Sequence, residues 1–157
     1  KGSVPRDWQE DPTLTGRYSI ALRNRYAPDL LMTFTVFRKS AFALSYERND
    51  LIAFLAGLRQ QYSHRLKLND MPADFRDSGF NAHLLGGETV HFDYSIEPRE
   101  QQGPTIRNRI YWVLIEDHWV EIALIGQEAQ VAPAIPAFER FLRNLSVVQN
   151  EAEAFGE

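Results

Sequence analysis

One stretch of the sequence decides the fold: Arg109-Ile110-Tyr111-Trp112-Val113-Leu114-Ile115-Glu116-Asp117-His118-Trp119-Val120-Glu121-Ile122-Ala123-Leu124. β-Branched and aromatic residues dominate its two halves, and the polar group Glu116-Asp117-His118 separates them. This pattern is typical of a β-hairpin. We predict strands over residues 106–115 and 119–125. Because both faces of these strands are apolar, we expect them to lie in the centre of a sheet that is covered on two sides.

A hairpin turn of two or four residues sets which side chains share a face. One face then holds Tyr111, Val113 and Ile115 with Val120, Ile122 and Leu124, and the other holds Ile110, Trp112 and Leu114 with Trp119, Glu121 and Ala123. Glu121 is a charged residue among apolar neighbours. We expect it to form a salt bridge with Arg107 or Arg109, and a catalytic acid with a raised pKa is the alternative.

Two more strands are predicted nearer the N-terminus. Apolar residues alternate with other types over residues 17–23 and 30–38, and the turn signal Ala27-Pro28-Asp29 lies between them. We expect the first of these strands at an edge of the sheet. The short apolar segment 41–46 is compatible with an extension of the sheet, and residues 1–16 are expected to form an irregular N-terminal arm.

An amphipathic helix follows these strands. Its apolar stripe recurs with helical spacing at Leu51, Leu55, Leu58 and Tyr62, and Asn49 or Asp50 can serve as its N-cap. The stripe predicts a helix of about four turns that packs on one face of the sheet.

The pair Gly86-Gly87 indicates a second hairpin, between strands over residues 80–85 and 88–97. Glycine adopts the positive φ angles of a tight hairpin turn without strain. This register places His83 opposite Val90 and His91 opposite Ala82. We expect one face of the strand 88–97 to be buried and the other to be at least partly wet, and we expect irregular connections over residues 70–79 and 98–104.

A short C-terminal helix is expected to cover the second face of the sheet. Pro133 and Pro136 are tolerated only in the first turn of a helix, so the helix should begin near them. Its apolar residues follow at Phe138, Phe141, Leu142 and Leu145, and residues 149–157 form an acidic tail.

The composition excludes several classes of protein. The chain has 157 residues, of which 44% are hydrophobic and 24% are charged, as expected of a single globular domain, 1–157, with a core over about 17–148. Its 17 basic residues are scattered among 21 acidic ones, so we expect no nucleic-acid partner. No apolar run is long enough for a membrane span. The absence of cysteine excludes disulfides and thiolate catalysis.

The order of these elements resembles the PsbP/DcrB-like families over residues 18–148, most clearly in the hairpin 109–124 and in the helix ending Phe138-Glu139-Arg140-Phe141-Leu142. The resemblance implies an α/β (α+β) fold in which an antiparallel β-sheet is sandwiched between helices. Members of these families are overwhelmingly binding or accessory proteins, including periplasmic lipoproteins of the DcrB type, photosystem accessory subunits and dimeric chaperones that load effectors of type VI secretion systems. The compartment stays open between the bacterial cytoplasm and the periplasm.

The residues that could carry catalysis do not converge in the predicted sheet. His64, His83, His91 and His118 fall on a helix, on opposite sheet faces and in a turn, so we expect no shared metal site. Neighbouring strands carry the carboxylates Asp93, Glu97, Glu116, Asp117 and Glu121. No nucleophile elbow, phosphate-binding loop or zinc-protease motif is present. We therefore predict no enzymatic activity, no cofactor and no metal.

The predicted partner-binding residues are Trp112, Leu114, Trp119 and Glu121, because large rigid side chains are enriched in binding hot spots. The alternative places these residues in the core beneath the C-terminal helix. We expect an accessory or chaperone-like protein of a bacterial secretion or envelope system, with a secreted effector as its partner, and a homodimer is compatible with this role.

Two other functions stay open. Residues 4–12 depart from the families that the chain resembles, and an immunity protein that neutralises a secreted toxin fits about as well. A small hydrolase or ligand-binding enzyme would instead need a deep pocket with two convergent carboxylates.

Overall fold

The computed structural model describes residues 4–38, 51–68, 73–97, 103–116 and 118–145. These residues form an α+β fold with a seven-stranded sheet, in which all strand pairings are antiparallel, and two α-helices. The strands are β1 (Trp8–Glu10), β2 (Ile20–Asn24), β3 (Leu31–Arg38), β4 (Ala73–Leu84), β5 (Gly87–Ile96), β6 (Ile106–Ile115) and β7 (His118–Gln127). The helices are α1 (Leu51–Leu68) and α2 (Glu128–Arg143), and a short 3-10 helix, Pro12–Leu14, follows β1.

The hairpin β6–β7 lies at the centre of the sheet, whose strand order is β1-β2-β3-β7-β6-β5-β4. Its turn has two residues, because Ile115 lies opposite His118. The register that follows places Tyr111 opposite Ile122 and Trp112 opposite Glu121. The predicted hairpin and the predicted division of its residues between two faces are therefore confirmed.

Each face of this hairpin belongs to a different apolar cluster. The first cluster contains Leu55, Leu58, Tyr62 and Leu66 of α1, with Val90, Phe92, Tyr94, Ile110, Trp112, Leu114, Trp119 and Ala123 of the sheet. The second cluster contains Val131, Phe138 and Leu142 of α2, with Leu22, Leu30, Met32, Leu84, Tyr111, Val113, Val120, Ile122 and Leu124. Burial of each large apolar side chain stabilises the fold by about 1.5–3 kcal/mol. Leu55, Leu58 and Tyr62 of the stripe predicted for α1 thus face the sheet, and the side chain of Leu51 lies outside the described part.

The N-terminal arm contains a strand that the sequence did not indicate. β1 pairs with β2, with Gln9 opposite Arg23, so β2 is an internal strand and the sheet edges are β1 and β4. The prediction that residues 17–23 form an edge strand is wrong, and the arm 1–16 is not wholly irregular. A strand of three residues is too short to show a periodic pattern, and backbone pairing defines it.

β4 is longer than predicted and is bulged. It begins at Ala73, and its pairing with β5 shifts between Phe75 and Ser78 and again between Asn81 and Leu84. As a result His91 lies opposite Gly79 rather than opposite Ala82. The predicted register of this hairpin is wrong because a β-bulge inserts residues into one strand without a signal in the alternation of its partner.

The turn of this hairpin is also shifted by one residue. Leu85 and Gly86 are the turn residues with positive φ, 54° and 77°, whereas Gly87 already belongs to β5 and reaches Leu84 across the ladder. A Cβ atom at Gly87 would lie 2.3 Å from the backbone oxygen of Leu114. Gly86 thus serves the turn, and Gly87 allows close approach of β6.

α2 begins directly after β7 and carries Pro133 and Pro136 in its interior, so the prediction that they mark its first turn is wrong. A proline removes the hydrogen bond to the carbonyl four residues earlier. Those carbonyls belong to Ala129 and Ala132, and all of these residues are exposed. Water can therefore satisfy the free carbonyls, while the opposite side of the helix packs on the sheet.

The segments 41–46 and 149–157, the proposed N-cap residues Asn49 and Asp50, and Asp117 lie outside the described residues. Among the described residues, neither helix combines the length and the apolarity that crossing a membrane requires.

Substitution at the two neighbouring glycines separates their roles. Gly87→Ala places a methyl group against the Leu114 carbonyl, so we expect the free energy of unfolding to fall by about 2–4 kcal/mol. Gly86→Ala has free space around it and meets only the cost of a left-handed backbone, about 1–2 kcal/mol. Urea denaturation measures both values. Gly86→Asn, which tolerates this conformation better, is the control, and equal losses at both positions would contradict the assignment.

Candidate functional site

Three of the predicted partner-binding residues lie in the core beneath α1. Trp112, Leu114 and Trp119 are buried in the first apolar cluster. The two indole rings meet edge to face with centroids 6.4 Å apart, and Phe37 stacks on Trp112 at 5.5 Å. The alternative that put them beneath the C-terminal helix named the wrong helix, because the sequence does not say which helix covers which face.

Glu121, the fourth predicted residue, lies opposite Trp112 on the same face and contacts α1. The Tyr62 hydroxyl donates a hydrogen bond to its Oε2 atom. Burial raises the pKa of Glu121 from its ordinary value of 4.5 to about 7. The predicted salt bridge with Arg107 or Arg109 is wrong, since side chains alternate along β6 and both arginines point to the other face.

The surroundings of Glu121 are aromatic. Tyr62 meets Phe92 edge to face at 5.0 Å, and Phe75 and Tyr94 lie beside them with ring centroids 5.4 Å apart. Burial raises the pKa of Tyr94 to about 12. This face therefore disfavours charge on the groups it contains.

A second carboxylate, Glu88, belongs to the same face but not to the same site. Glu88 lies opposite Leu114 of β6, whereas Glu121 lies opposite Trp112 of the same strand. β6 therefore lies between the two glutamates. Strand spacing puts their Cα atoms about 12 Å apart. This separation does not favour the carboxylate pair that the enzyme alternative requires.

The other face carries a buried ionic cluster centred on Asp93. Arg109 donates from Nη1 to Asp93 Oδ1 at 3.3 Å, and Arg107 donates from Nε to Oδ2 at 3.2 Å. Asp93 and Arg109 are buried and lie opposite each other on β5 and β6. Two guanidinium groups therefore offset the charge of this buried carboxylate.

The same cluster ties α2 to the sheet. Arg109 donates from Nη2 to Glu139 Oε1 at 3.3 Å, and the Tyr111 hydroxyl donates to the same oxygen at 2.8 Å. Burial raises the pKa of Tyr111, so its hydroxyl stays protonated as a donor. The charges of Arg107 and Arg109 balance those of Asp93 and Glu139. This cluster is used in packing and does not present a reactive group.

One face of β5 is polar yet buried. Its members are Thr89, His91, Asp93 and Ser95. The expectation that this face would be partly wet is wrong, because side chains of β6, among them Arg109 and Tyr111, pack against it. The Ser95 hydroxyl has no hydrogen-bond partner among the residues that the structure describes.

The histidines of the described chain do not form a site. His64 is exposed on α1, His118 is exposed at the start of β7, and His91 is buried beside Gly79. The side chain of His83 lies outside the described part. Among the residues that the structure describes, no group of three or more histidine, aspartate or glutamate side chains could hold a metal ion.

An open apolar strip lies on the α2 side of the sheet, away from the predicted site. It consists of Ile20, Phe34 and Val36 on β2 and β3, where Ile20 lies opposite Phe34. Ile20 and Val36 are 49% and 51% exposed, and Phe34 is half-buried against the second cluster. The sequence analysis did not predict this surface, because it placed the exposed apolar residues around Trp112.

The strip has a basic end. Arg38 continues the Val36 face of β3, and the backbone N–H of Val36 donates to the hydroxyl of Ser19, which follows Arg17 by two residues in the chain. Both arginines are exposed. The Arg17 guanidinium lies 5.4 Å from the centre of the Tyr18 ring, and neither arginine forms an ion pair with a described residue.

Comparison with known proteins identifies the fold. No family model matches the chain and no curated protein matches its sequence. Its fold is similar to that of cyanobacterial PsbP (CyanoP) from Synechocystis, with a TM-score of 0.59, 9% identity, and coverage of 88% of this chain and 80% of that one. It is also similar to LpqN, involved in cell envelope biogenesis of Mycobacterium tuberculosis, with a TM-score of 0.57, 10% identity, and coverage of 95% and 83%.

A third similar structure is the Ran-binding protein Mog1p of Saccharomyces cerevisiae, with a TM-score of 0.52, 10% identity, and coverage of 87% of this chain and 76% of that one. Identities this low establish the fold alone. The resemblance to PsbP-like proteins that the sequence indicated is confirmed at that level.

Substitution of Trp112 tests whether the sheet face beneath α1 belongs to the core. Trp112→Ala removes a buried ring that contacts Phe37 and Trp119, so we expect the free energy of unfolding to fall by about 3–5 kcal/mol. Trp112→Phe should lose less, because an aromatic ring remains. Chemical denaturation followed by circular dichroism measures both, and a loss below about 1 kcal/mol for the alanine variant would remove Trp112 from the core.

Arg109 tests the ionic cluster. Arg109→Ala leaves Asp93 and Glu139 with a missing partner in a buried site, so we expect a loss of about 3–5 kcal/mol in the free energy of unfolding. Arg143, which also contacts Glu139 but is 60% exposed, is the matched control. Arg143→Ala should change stability by less than about 0.5 kcal/mol, and similar losses for the two variants would contradict a buried cluster.

Proposed function

We propose that this chain, which has a PsbP-like fold, is a non-catalytic accessory protein that binds another protein in a bacterial secretion or envelope system, in the manner of a chaperone. The observation that carries the proposal is the open apolar strip, because half-exposed aliphatic side chains grouped on one sheet face mark an interaction site. The related folds support it in general terms, since LpqN is involved in cell envelope biogenesis and Mog1p is a Ran-binding protein.

The strip supports a proposal about the chemistry of the partner. Its exposed aliphatic residues Ile20 and Val36 fit the apolar side of an amphipathic helix. Arg17 and Arg38 at its end favour acidic residues on the flank of that helix. The proposed partner is therefore an effector segment that is helical, apolar on one side and acidic beside it.

The buried and half-buried carboxylates make packing contacts, and this supports a role without catalysis. Asp93 and Glu139 are bound to arginines, and Glu121 is bound to Tyr62 in an aromatic environment. Catalytic acids and bases need access to a substrate. The described surface instead offers apolar contact area, and its basic corner argues against an immunity protein that inserts acidic groups into a toxin.

Two helical peptides of matched composition test the proposal. Both carry the same leucine and alanine face, and the flanking residues are glutamate in one and lysine in the other. We expect the glutamate peptide to bind about tenfold more tightly, measured by fluorescence anisotropy, and its affinity to fall with added salt. Preference for the lysine peptide, or binding of neither peptide, would contradict the proposal.

Variants of the chain locate the binding surface. Ile20→Ser combined with Val36→Ser should weaken binding of the glutamate peptide by about tenfold or more, because the two side chains lose their apolar contact. Arg17→Glu with Arg38→Glu should reverse the charge preference. Tyr26→Ser is the matched control, since Tyr26 is 82% exposed at the far end of β2, and it should leave binding unchanged.

A further inference from the structure

We infer that α1 is a pH-dependent cover of the aromatic sheet face, and that its docking weakens when the Glu121 carboxyl ionises. This inference concerns the face opposite the open strip and does not depend on the proposed function. Its consequence is that Trp112, Leu114 and Trp119 lie beneath a helix whose position responds to pH near neutrality.

One hydrogen bond between α1 and the sheet has an ionisable carboxyl as its acceptor. Tyr62 lies within α1 and is buried in the first cluster, and its hydroxyl donates to Glu121 on β7. The residues opposite Glu121 on the neighbouring strands are Thr35 and Trp112. These neighbours are neutral, so an ionised Glu121, half-buried beneath α1, has a neutral hydroxyl as its donor.

The charged groups near this link are otherwise engaged or distant. On α1, the guanidinium of Arg59 lies 5.6 Å from the centre of the Phe75 ring, that of Arg65 lies 5.4 Å from the centre of the Tyr62 ring, and His64 is exposed. Burial raises the pKa of Tyr94, and the charge of Arg65 partly offsets this rise. Burial alone shifts the pKa of Glu121.

Within the described part of the chain, Glu88 on β5 is the other acidic group of this face, and it lies two strands away from Glu121. The contrast with α2 is direct, because Glu139 on that helix is bound by Arg109 as well as by Tyr111. The carboxylate of α2 is thus compensated by a guanidinium, whereas no described guanidinium bonds to Glu121.

The direction of the pH effect follows from proton linkage. The pKa of Glu121 is about 7 when α1 is docked and should return towards 4.5 when the helix moves away. The docked state then binds the proton more tightly, so docking is strongest below pH 4.5, weakens as the pH rises towards 7, and levels off above it. The difference between 4.5 and about 7 corresponds to a weakening of up to about three hundredfold.

Hydrogen exchange measured by mass spectrometry tests this inference on the whole chain. We expect the protection factors of the α1 amides, corrected for the intrinsic pH dependence of exchange, to fall by about tenfold to a hundredfold between about pH 5 and about pH 8. The α2 amides should keep their protection over the same range. A parallel fall in both helices would indicate general destabilisation, and constant protection of α1 would also overturn the inference.

Substitution assigns the effect to the carboxyl. Glu121→Gln keeps a hydrogen-bond acceptor but cannot ionise, so α1 should stay protected at every pH in this range. Glu97→Gln, which changes an exposed carboxylate at the end of β5, is the matched control and should retain the full pH dependence. Persistence of the pH dependence in Glu121→Gln would overturn the assignment.

Tryptophan fluorescence provides a second readout in case Glu121→Gln does not fold. In a Trp8→Phe background the remaining tryptophans, Trp112 and Trp119, both lie beneath α1. We expect their emission to shift to longer wavelength as the pH rises through neutrality, because ionisation of Glu121 favours the undocked helix. An unchanged spectrum between about pH 5 and about pH 8 would contradict the movement of α1.

Discussion

The structure depends on the two-residue turn between β6 and β7, which sets the register of the central hairpin. Because side chains alternate along a strand, a slip of one residue would move every side chain of β7 to the opposite face. Glu121 would then lie on the side of Arg109, and Ile122 would face α1. The observed register gives each helix an apolar surface on its own side of the sheet. It also separates the carboxyl of Glu121 from the arginines of β6.

Two carboxyl–tyrosine contacts connect the helices to these faces, and they differ in charge. On one side Glu139 of α2 receives hydrogen bonds from Tyr111 and Arg109 of the sheet. On the other side Glu121 of the sheet receives a hydrogen bond from Tyr62 of α1. The first contact includes a guanidinium, whose charge offsets that of the acid. The second consists of neutral neighbours, and the ionisation of its acid opposes burial. One helix is therefore held by compensated charge and the other by a contact that favours the protonated acid.

The same distribution of charge bears on function. A catalytic site needs ionisable groups that reach a substrate, and in the described chain Asp93 and Glu139 are occupied by the packing of α2. Two exposed apolar side chains, Ile20 and Val36, lie on β2 and β3. A sheet face of this kind, with arginines at one end, is suited to contact with another protein. The PsbP-like fold is compatible with this role but does not specify the partner, since a fold can carry many unrelated functions.

The sequence by itself determined the features that repeat locally. Alternation over β6 and β7 established the hairpin and its two faces, the stripe at Leu55 and Leu58 established α1, and the order of elements pointed to the PsbP-like fold. Only the tertiary structure decided the pairing of β1, the bulges of β4, the helix that covers Trp112 and the partner of Glu121. The physical reason is that these features depend on backbone pairing and on contacts between residues far apart in the chain. A periodic pattern reports which side chains need burial, but the packed structure alone determines what buries them.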